Sequence, residues 1–147
     1  MQVTFISPIS GESILFNNAK IADFLYEHLD EFGDEQEDIL RAINYSLSTE
    51  KNAGGFVLVA HFEEEIVGSV VVNETGMKGY IPENVLVYIA THRKYRGEGI
   101  GKHLMEHAIK MCHGDIALHV EKNNPARFLY EKIGFTNPYL EMRYKRK

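Results

Sequence analysis

From Asn18 to Asp30 the apolar residues Ile21, Phe24, Leu25 and Leu29, with Phe32 just beyond, recur at intervals of three and four. That spacing predicts a helix with one buried face. Gly33 interrupts it, and Asp34 with Glu37 three residues on has the form of a capping box. A second helix is expected from there through Ile39, Leu40, Ile43 and Leu47. Before both helices, Gln2 to Ile6 reads as a short strand stopped by Ser7-Pro8.

From Gly54 the period drops to two. Gly55 to Phe62 and Glu65 to Asn73 are β-rich runs around the acidic turn Glu63-Glu64, which predicts a hairpin. A glycine-bearing loop leads to a third apolar strand, Val85 to Thr91. A helix from about Gly99 to His113 follows, with Ile100, Leu104, Ala108 and Ile109 as its inward residues. Gly114-Asp115 ends it, and Ile116 to Val120 reads as a buried strand. Asn124 at the N-cap, Pro125 at the first helical position and Gly134 just past Ile133 mark out a short helix. Phe135 and Tyr139 to Lys145 are expected to close the chain as one or two short strands. The order β-α-α-β-β-β-α-β-α-β describes a mixed α/β layer structure, and 147 residues suit a single domain spanning 1–147.

Apolar residues make up 44% and charged residues 25%, which excludes disordered, collagenous and coiled-coil chains. The 16 Lys and Arg against 21 Asp and Glu give a net charge of −5, a poor overall field for nucleic acid. The single cysteine, Cys112, has no partner for an internal disulfide, which points to a reducing compartment. The first ten residues lack the basic and apolar regions of a signal peptide, and no apolar run approaches the ~20 residues of a membrane span. A cytoplasmic protein that binds neither nucleic acid nor membrane is the expectation.

Within this acidic chain, Arg96-Gly97-Glu98-Gly99-Ile100-Gly101 stands between a strand and a helix, with Arg93, Lys94 and Lys102 around it. Alternate glycines let a backbone approach a ligand closely, and a helix N-terminus offers unpaired N–H groups to an anion. A pyrophosphate fits such a cradle. The loop is not a P-loop, which requires Gly at 96 and Ser or Thr at 103, where Arg96 and His103 stand. Nor is it a dinucleotide fingerprint, since Lys102 and Leu104 occupy positions that require small residues. Taken alone, the loop also fits a glycine turn without a ligand.

Arg96, Gly99 and Gly101 occupy the three marked places of Arg/Gln-x-x-Gly-x-Gly/Ala, the phosphate loop of the GCN5-related N-acetyltransferases, the GNAT superfamily. Downstream, Asn123, Ala126, Tyr130 and Lys132-Ile133-Gly134-Phe135 resemble that family's closing segment in register. The element order is similar from Gln2 to Tyr144. The resemblance implies a GNAT-like fold: a central mixed, mostly antiparallel sheet flanked by helices, with a splayed parallel pair where acetyl-CoA binds. It implies that the backbone of Ile89, Ala90 and Thr91 meets the pantetheine arm. Arg96 and the amides of Gly97, Glu98, Gly99, Ile100, Gly101 and Lys102 would then hold the pyrophosphate, with Asn123 as a further cofactor contact or a helix cap. It also implies that Tyr130 is the general acid for the leaving thiolate, although its position also suits a packing aromatic. The reaction so implied is direct acetyl transfer from acetyl-CoA, the cosubstrate, to a primary amine, with no metal; a non-catalytic acyl-CoA-binding or regulatory domain and a transferase of a different acyl group are the alternatives. Family members often pair as homodimers.

An attacking amine must lose a proton, and Glu83, His92, His119 and Glu121 are the residues in reach of such a role; none has a motif behind it, and no base is assigned. His103 and His107 share a helix face without the His-Glu-x-x-His pattern, so a surface pair is expected rather than zinc. Eight carboxylates and no Lys or Arg lie between Ile21 and Leu40 (Asp23, Glu27, Asp30, Glu31, Asp34, Glu35, Glu37 and Asp38). Such runs are usually solvated faces. In a GNAT-like fold they border the acceptor site, where they would attract a cationic amine, more readily a small molecule than a protein.

Overall fold

A computed structural model describes residues 1–146. The elements run β1 (Gln2–Ile6), α1 (Asn18–His28), α2 (Gln36–Ser46), β2 (Gly55–Phe62), β3 (Glu65–Glu74), β4 (Asn84–Thr91), α3 (Ile100–Met111), β5 (Ile116–Leu118) and α4 (Ala126–Ile133). Short 3-10 turns at Asp30–Phe32 and Arg93–Tyr95 follow α1 and β4. The five strands lie in the order β1-β2-β3-β4-β5, antiparallel except for the parallel last pair.

Strand alternation divides the core in two. Val57, Val59 and Val71 point to one face and pack with Ile21, Leu25, Ile39 and Ile43 from α1 and α2. Leu58, Ala60, Val70 and Val72 point to the other and pack with Leu104, Met105 and Ala108 of α3 and Tyr130 of α4. Leu25, Leu58 and Leu104 lose all solvent contact, each burial contributing roughly 1.5–3 kcal/mol.

One residue breaks the alternation at a telling place. Val71 pairs with Tyr88 but Val72 pairs with Leu86, so Val87 is a β-bulge. The extra residue puts Val87 and Tyr88 on the α1–α2 face together, while Leu86 and Ile89 on either side face α3. Bulges re-aim side chains in this way.

Several expectations are corrected. The first helix ends at His28 rather than Asp30, which takes a positive φ of 55°. The capping box does not form: Glu35 is the N-cap of α2, without a side-chain cap, and Asp34 is engaged elsewhere. The third helix stops at Met111 rather than His113, and its buried row takes in Met105 while Ile109 faces solvent. The fifth strand ends at Leu118, two residues early. In α4 the cap lies one residue later than expected: Pro125 occupies the N-cap, although the Asn124 side chain does accept from the Ala126 N–H at 2.9 Å. No strand forms after Phe135 among the described residues. Leu140, Met142 and Tyr144 alternate as a strand should, yet are 79%, 92% and 78% exposed, and a period of two without a partner makes no ladder.

Candidate active site

β4 and β5 pair only at Asn84↔Ile116, Val85↔Ala117 and Leu86↔Leu118. Beyond Leu86 the two strands part, and β4 continues through residues 87–91 with β3 on one side only. Backbone groups of a strand alternate between its edges, so part of the main chain of Ile89, Ala90 and Thr91 faces this opening. The opening begins at the bulge.

The glycine loop closes the same end. Gly97 (φ 84°) and Gly99 (φ 81°) adopt the left-handed region, where any other residue except Asn or Asp is strained, and a side chain added at either would point into open space. Gly99 is the N-cap of α3 and supplies no side-chain acceptor. The first backbone donor of the helix is His103, whose N–H reaches the Gly99 carbonyl at 3.0 Å. Among the described residues, none of the six N–H groups of residues 97–102 has a protein partner. Open donors at the positive end of a twelve-residue helix suit an anion.

The side chains around this cradle behave differently from the sequence expectation. Arg96, expected on the phosphate, turns toward α1: its Nη1 binds Asp30 at 3.1 Å and its Nη2 donates to the His28 carbonyl at 2.7 Å. Arg93 binds the same Asp30 through Nε at 2.8 Å and donates to the Glu27 carbonyl at 2.5 Å. Lys102 is paired loosely with Glu106 at 3.9 Å and Lys94 lies over the Tyr95 ring. Asn123 is exposed beyond β5, and its side chain makes no hydrogen bond among the described residues.

Tyr130 of α4 lies in the core cluster on the α3 side of the sheet. Leu129, its neighbour, approaches Gly101: a side chain at Gly101 would come within 3.8 Å of Leu129 Cδ2 and 3.5 Å of Thr91 Oγ1. Tyr130 is 8% exposed and packs beside Phe135 with ring centroids 6.1 Å apart. Burial pushes its phenol up to about 12, so near neutrality it holds a proton.

On the other face, Tyr26, Glu27, Asp30, Gly33, Asp34, Glu35, Asp38 and Arg93 line an open cleft of about 560 Å³. Five of these are carboxylates from the acidic run. The bulged Tyr88 spans from β4 to the cleft and donates to Asp34 Oδ2 at 2.5 Å. Burial, then this bond and the neighbouring carboxylates, raise its phenol far above the usual range. Tyr88 thus ties the cleft to β4 next to the point where β4 and β5 part. The sequence reading missed Tyr88, because Val85 to Ala90 is a continuous apolar run in which the bulge leaves no mark.

The residues weighed as bases have structural partners or lie in solvent. Glu83 accepts from the Asp115 N–H at 2.9 Å, and that bond, first among several from the backbone, holds its carboxyl below the usual range. His92 accepts from Lys94 N at 3.1 Å and stacks on the buried His28 at 4.1 Å between centroids. Desolvation, then His92, lowers the His28 pKa. His119 and Glu121 are exposed. His103 and His107 are neighbours, with ring centroids 6.3 Å apart, and no group of three possible metal ligands occurs among the described residues. Burial pushes the Cys112 thiol up to about 11, which leaves it a poor nucleophile.

A family model described as an acetyltransferase (GNAT) domain matches residues 53–137, from β2 through α4. The chain is 38% identical over 84 residues to a 5-NmdU N-acetyltransferase of Pseudomonas phage PaMx11, a match covering 56% of this chain and 58% of that protein. It is 32% identical over 125 residues to N-alpha-acetyltransferase 30 of Xenopus laevis, covering 75% of this chain and 46% of that one. The chain thus spans about half the length of these two curated relatives. Among solved structures, a ribosomal-protein-alanine N-acetyltransferase from Brucella melitensis biovar Abortus 2308 superposes with a TM-score of 0.66 at 16% identity, over 100% of this chain and 99% of that one. The chain belongs to the GNAT acetyltransferase family. Its five-stranded sheet with one parallel pair is the fold that the resemblance implied, and no helix among the described residues is long and apolar enough to cross a membrane.

Proposed function

We propose that this chain is a single-domain N-acetyltransferase that moves the acetyl group of acetyl-CoA to a primary amine by direct attack in a ternary complex. The observation that carries this reading is the run of six unpartnered N–H groups at residues 97–102, set beside the unpaired edge of β4. The amides would take the pyrophosphate, and the free backbone of residues 89–91 would pair with the pantetheine amides. That the phage and frog relatives are both named N-acetyltransferases supports nitrogen as the acceptor atom.

In the proposed step the neutral amine nitrogen attacks the thioester carbon. A C–N bond forms, the C–S bond breaks and the amine proton departs to solvent. A backbone N–H of β4 at the opening would stabilise the developing oxyanion. Tyr130, held protonated by burial, would give its proton to the leaving thiolate and regain one from solvent. The acidic cleft supports a cationic acceptor: its five carboxylates would gather ammonium groups to the side of β4 opposite α3.

Thermal unfolding with acetyl-CoA and with free CoA tests the reading. At about 100 times the dissociation constant, binding should add roughly 2.7 kcal/mol, a midpoint rise of roughly 5–10 °C for a chain near this size. No rise with either ligand overturns it. A rise justifies a turnover screen of amines, which the acetyltransferase reading requires to yield an acetylated product.

A further inference from the structure

We infer that Asp30 is a positioning residue for the cofactor cradle, an inference that rests on the acetyl-CoA reading above. Residues 92–96 are the only covalent link between the end of β4 and the open amides, so whatever fixes them fixes where the amides stand. Two of their side chains converge on one carboxylate: Arg93 places Nε 2.8 Å from Asp30 Oδ1, and Arg96 places Nη1 3.1 Å from Asp30 Oδ2. The same guanidinium groups donate to the Glu27 and His28 carbonyls at the C-terminal end of α1. Arg96 Nε adds a long bond to the Thr91 carbonyl at 3.4 Å, and the Arg93 N–H reaches His28 Nδ1 at 3.3 Å. His92 stacks on His28 in the same joint. The approach to the cradle is thereby tied to α1 at several points, with Asp30 common to both arginines.

Asp30 itself holds a φ of 55°. A non-glycine residue stays in that region where its surroundings determine it. The two arginines do so, and they hold its carboxyl below the usual range, Arg93 first. The arrangement also explains why Arg96 occupies the marked place of the phosphate motif while its side chain points away from the amides. Its guanidinium sets the position of the chain, and the N–H groups that follow are left to meet the anion. Misplacement of a site by an ångström is costly even where every contacting group is kept.

Asp30→Asn tests this, because asparagine tolerates a left-handed backbone while the change removes the charge and one of the two oxygens that accept from the arginines. The KM for acetyl-CoA should rise about tenfold and the CoA-induced rise in melting temperature should shrink, while kcat at saturation and the KM for a neutral amine change less than about threefold; because Asp30 also lines the acidic cleft, the KM for a cationic amine should rise too. Arg96→Lys, which keeps the charge and loses the fork, should shift the acetyl-CoA KM in the same direction. The double variant should be little worse than either single one, and the Arg96→Lys arm stands if Asp30→Asn does not fold. An unchanged or lower acetyl-CoA KM in both variants, with wild type responding to CoA, overturns the role of Asp30. A wild type that shows no response to acetyl-CoA or CoA instead overturns the cofactor reading itself.

Discussion

The two sides of β4 are built from different materials. On the side proposed for the cofactor, the groups on offer are backbone amides of residues 97–102, flanked by glycines at positive φ. On the side proposed for the acceptor they are side chains, five carboxylates and a buried tyrosine, gathered from α1, the α1–α2 connection, α2 and β4. A site of amides constrains sequence tightly, because only glycine serves at certain positions. A site of carboxylates on exposed surfaces constrains it loosely. This is why a motif announces the first and none announces the second.

Breaking the cofactor side should have the largest effects. Tyr130→Phe should lower kcat by about 100-fold or more with little change in the KM for acetyl-CoA; an unchanged kcat would remove Tyr130 as the acid and leave it a core aromatic. Gly99→Val places a β-branched residue at φ 81°, at a cost of roughly 1–2 kcal/mol. It should also weaken the CoA thermal shift beyond what the loss of apo stability explains.

The acceptor side should respond more gently. Asp34→Asn should raise the KM for a cationic amine roughly five- to tenfold, and added salt should erase most of that difference because the cleft is open. A neutral amine acceptor should be indifferent to both changes. Tyr88→Phe should cost about 1 kcal/mol in stability, read from chemical denaturation, since the lost partner Asp34 is itself exposed.

A separate effect, confined to conditions far from neutrality, concerns alkaline pH. Tyr130 binds its proton more tightly in the folded protein, with its pKa pushed up to about 12 from an ordinary 10. Its contribution is therefore complete below about pH 10 and is lost as the pH rises toward about 12. The unfolding free energy of wild type should fall across that window by roughly 2–3 kcal/mol from this group. Tyr130→Phe should remove that part of the slope, leaving the part due to Tyr88.

The same contrast governs what the sequence made legible. The α1 and α2 rows and the β2–β3 hairpin could be read because Ile21, Leu25, Ile39 and Ile43, and the alternating valines of β2 and β3, each face a single buried side. The cradle could be read because Gly97 and Gly99 have conformational tasks. Three things escaped. The strand expected from Tyr139 to Lys145 depends on a neighbour, and alternation alone supplies none. Asp34 resembles a capping residue by spacing, yet a buried phenol 54 positions away competes for it and wins. Arg96 sits at a motif position but spends its side chain on α1, which no local pattern encodes.

The extra residue in β4 has a consequence for how such a protein can change. Deleting Val87 would leave Leu86 and Tyr88 adjacent and restore strict alternation from Asn84 to Thr91. Leu86 would still face α3 and Tyr88 would still face α1 and α2, so each would keep its compartment and its partner on β3. A single-codon deletion at this point would thus remove the kink and leave every other side chain in the half of the molecule it serves, whereas a deletion elsewhere in the strand would move a run of side chains to the opposite face.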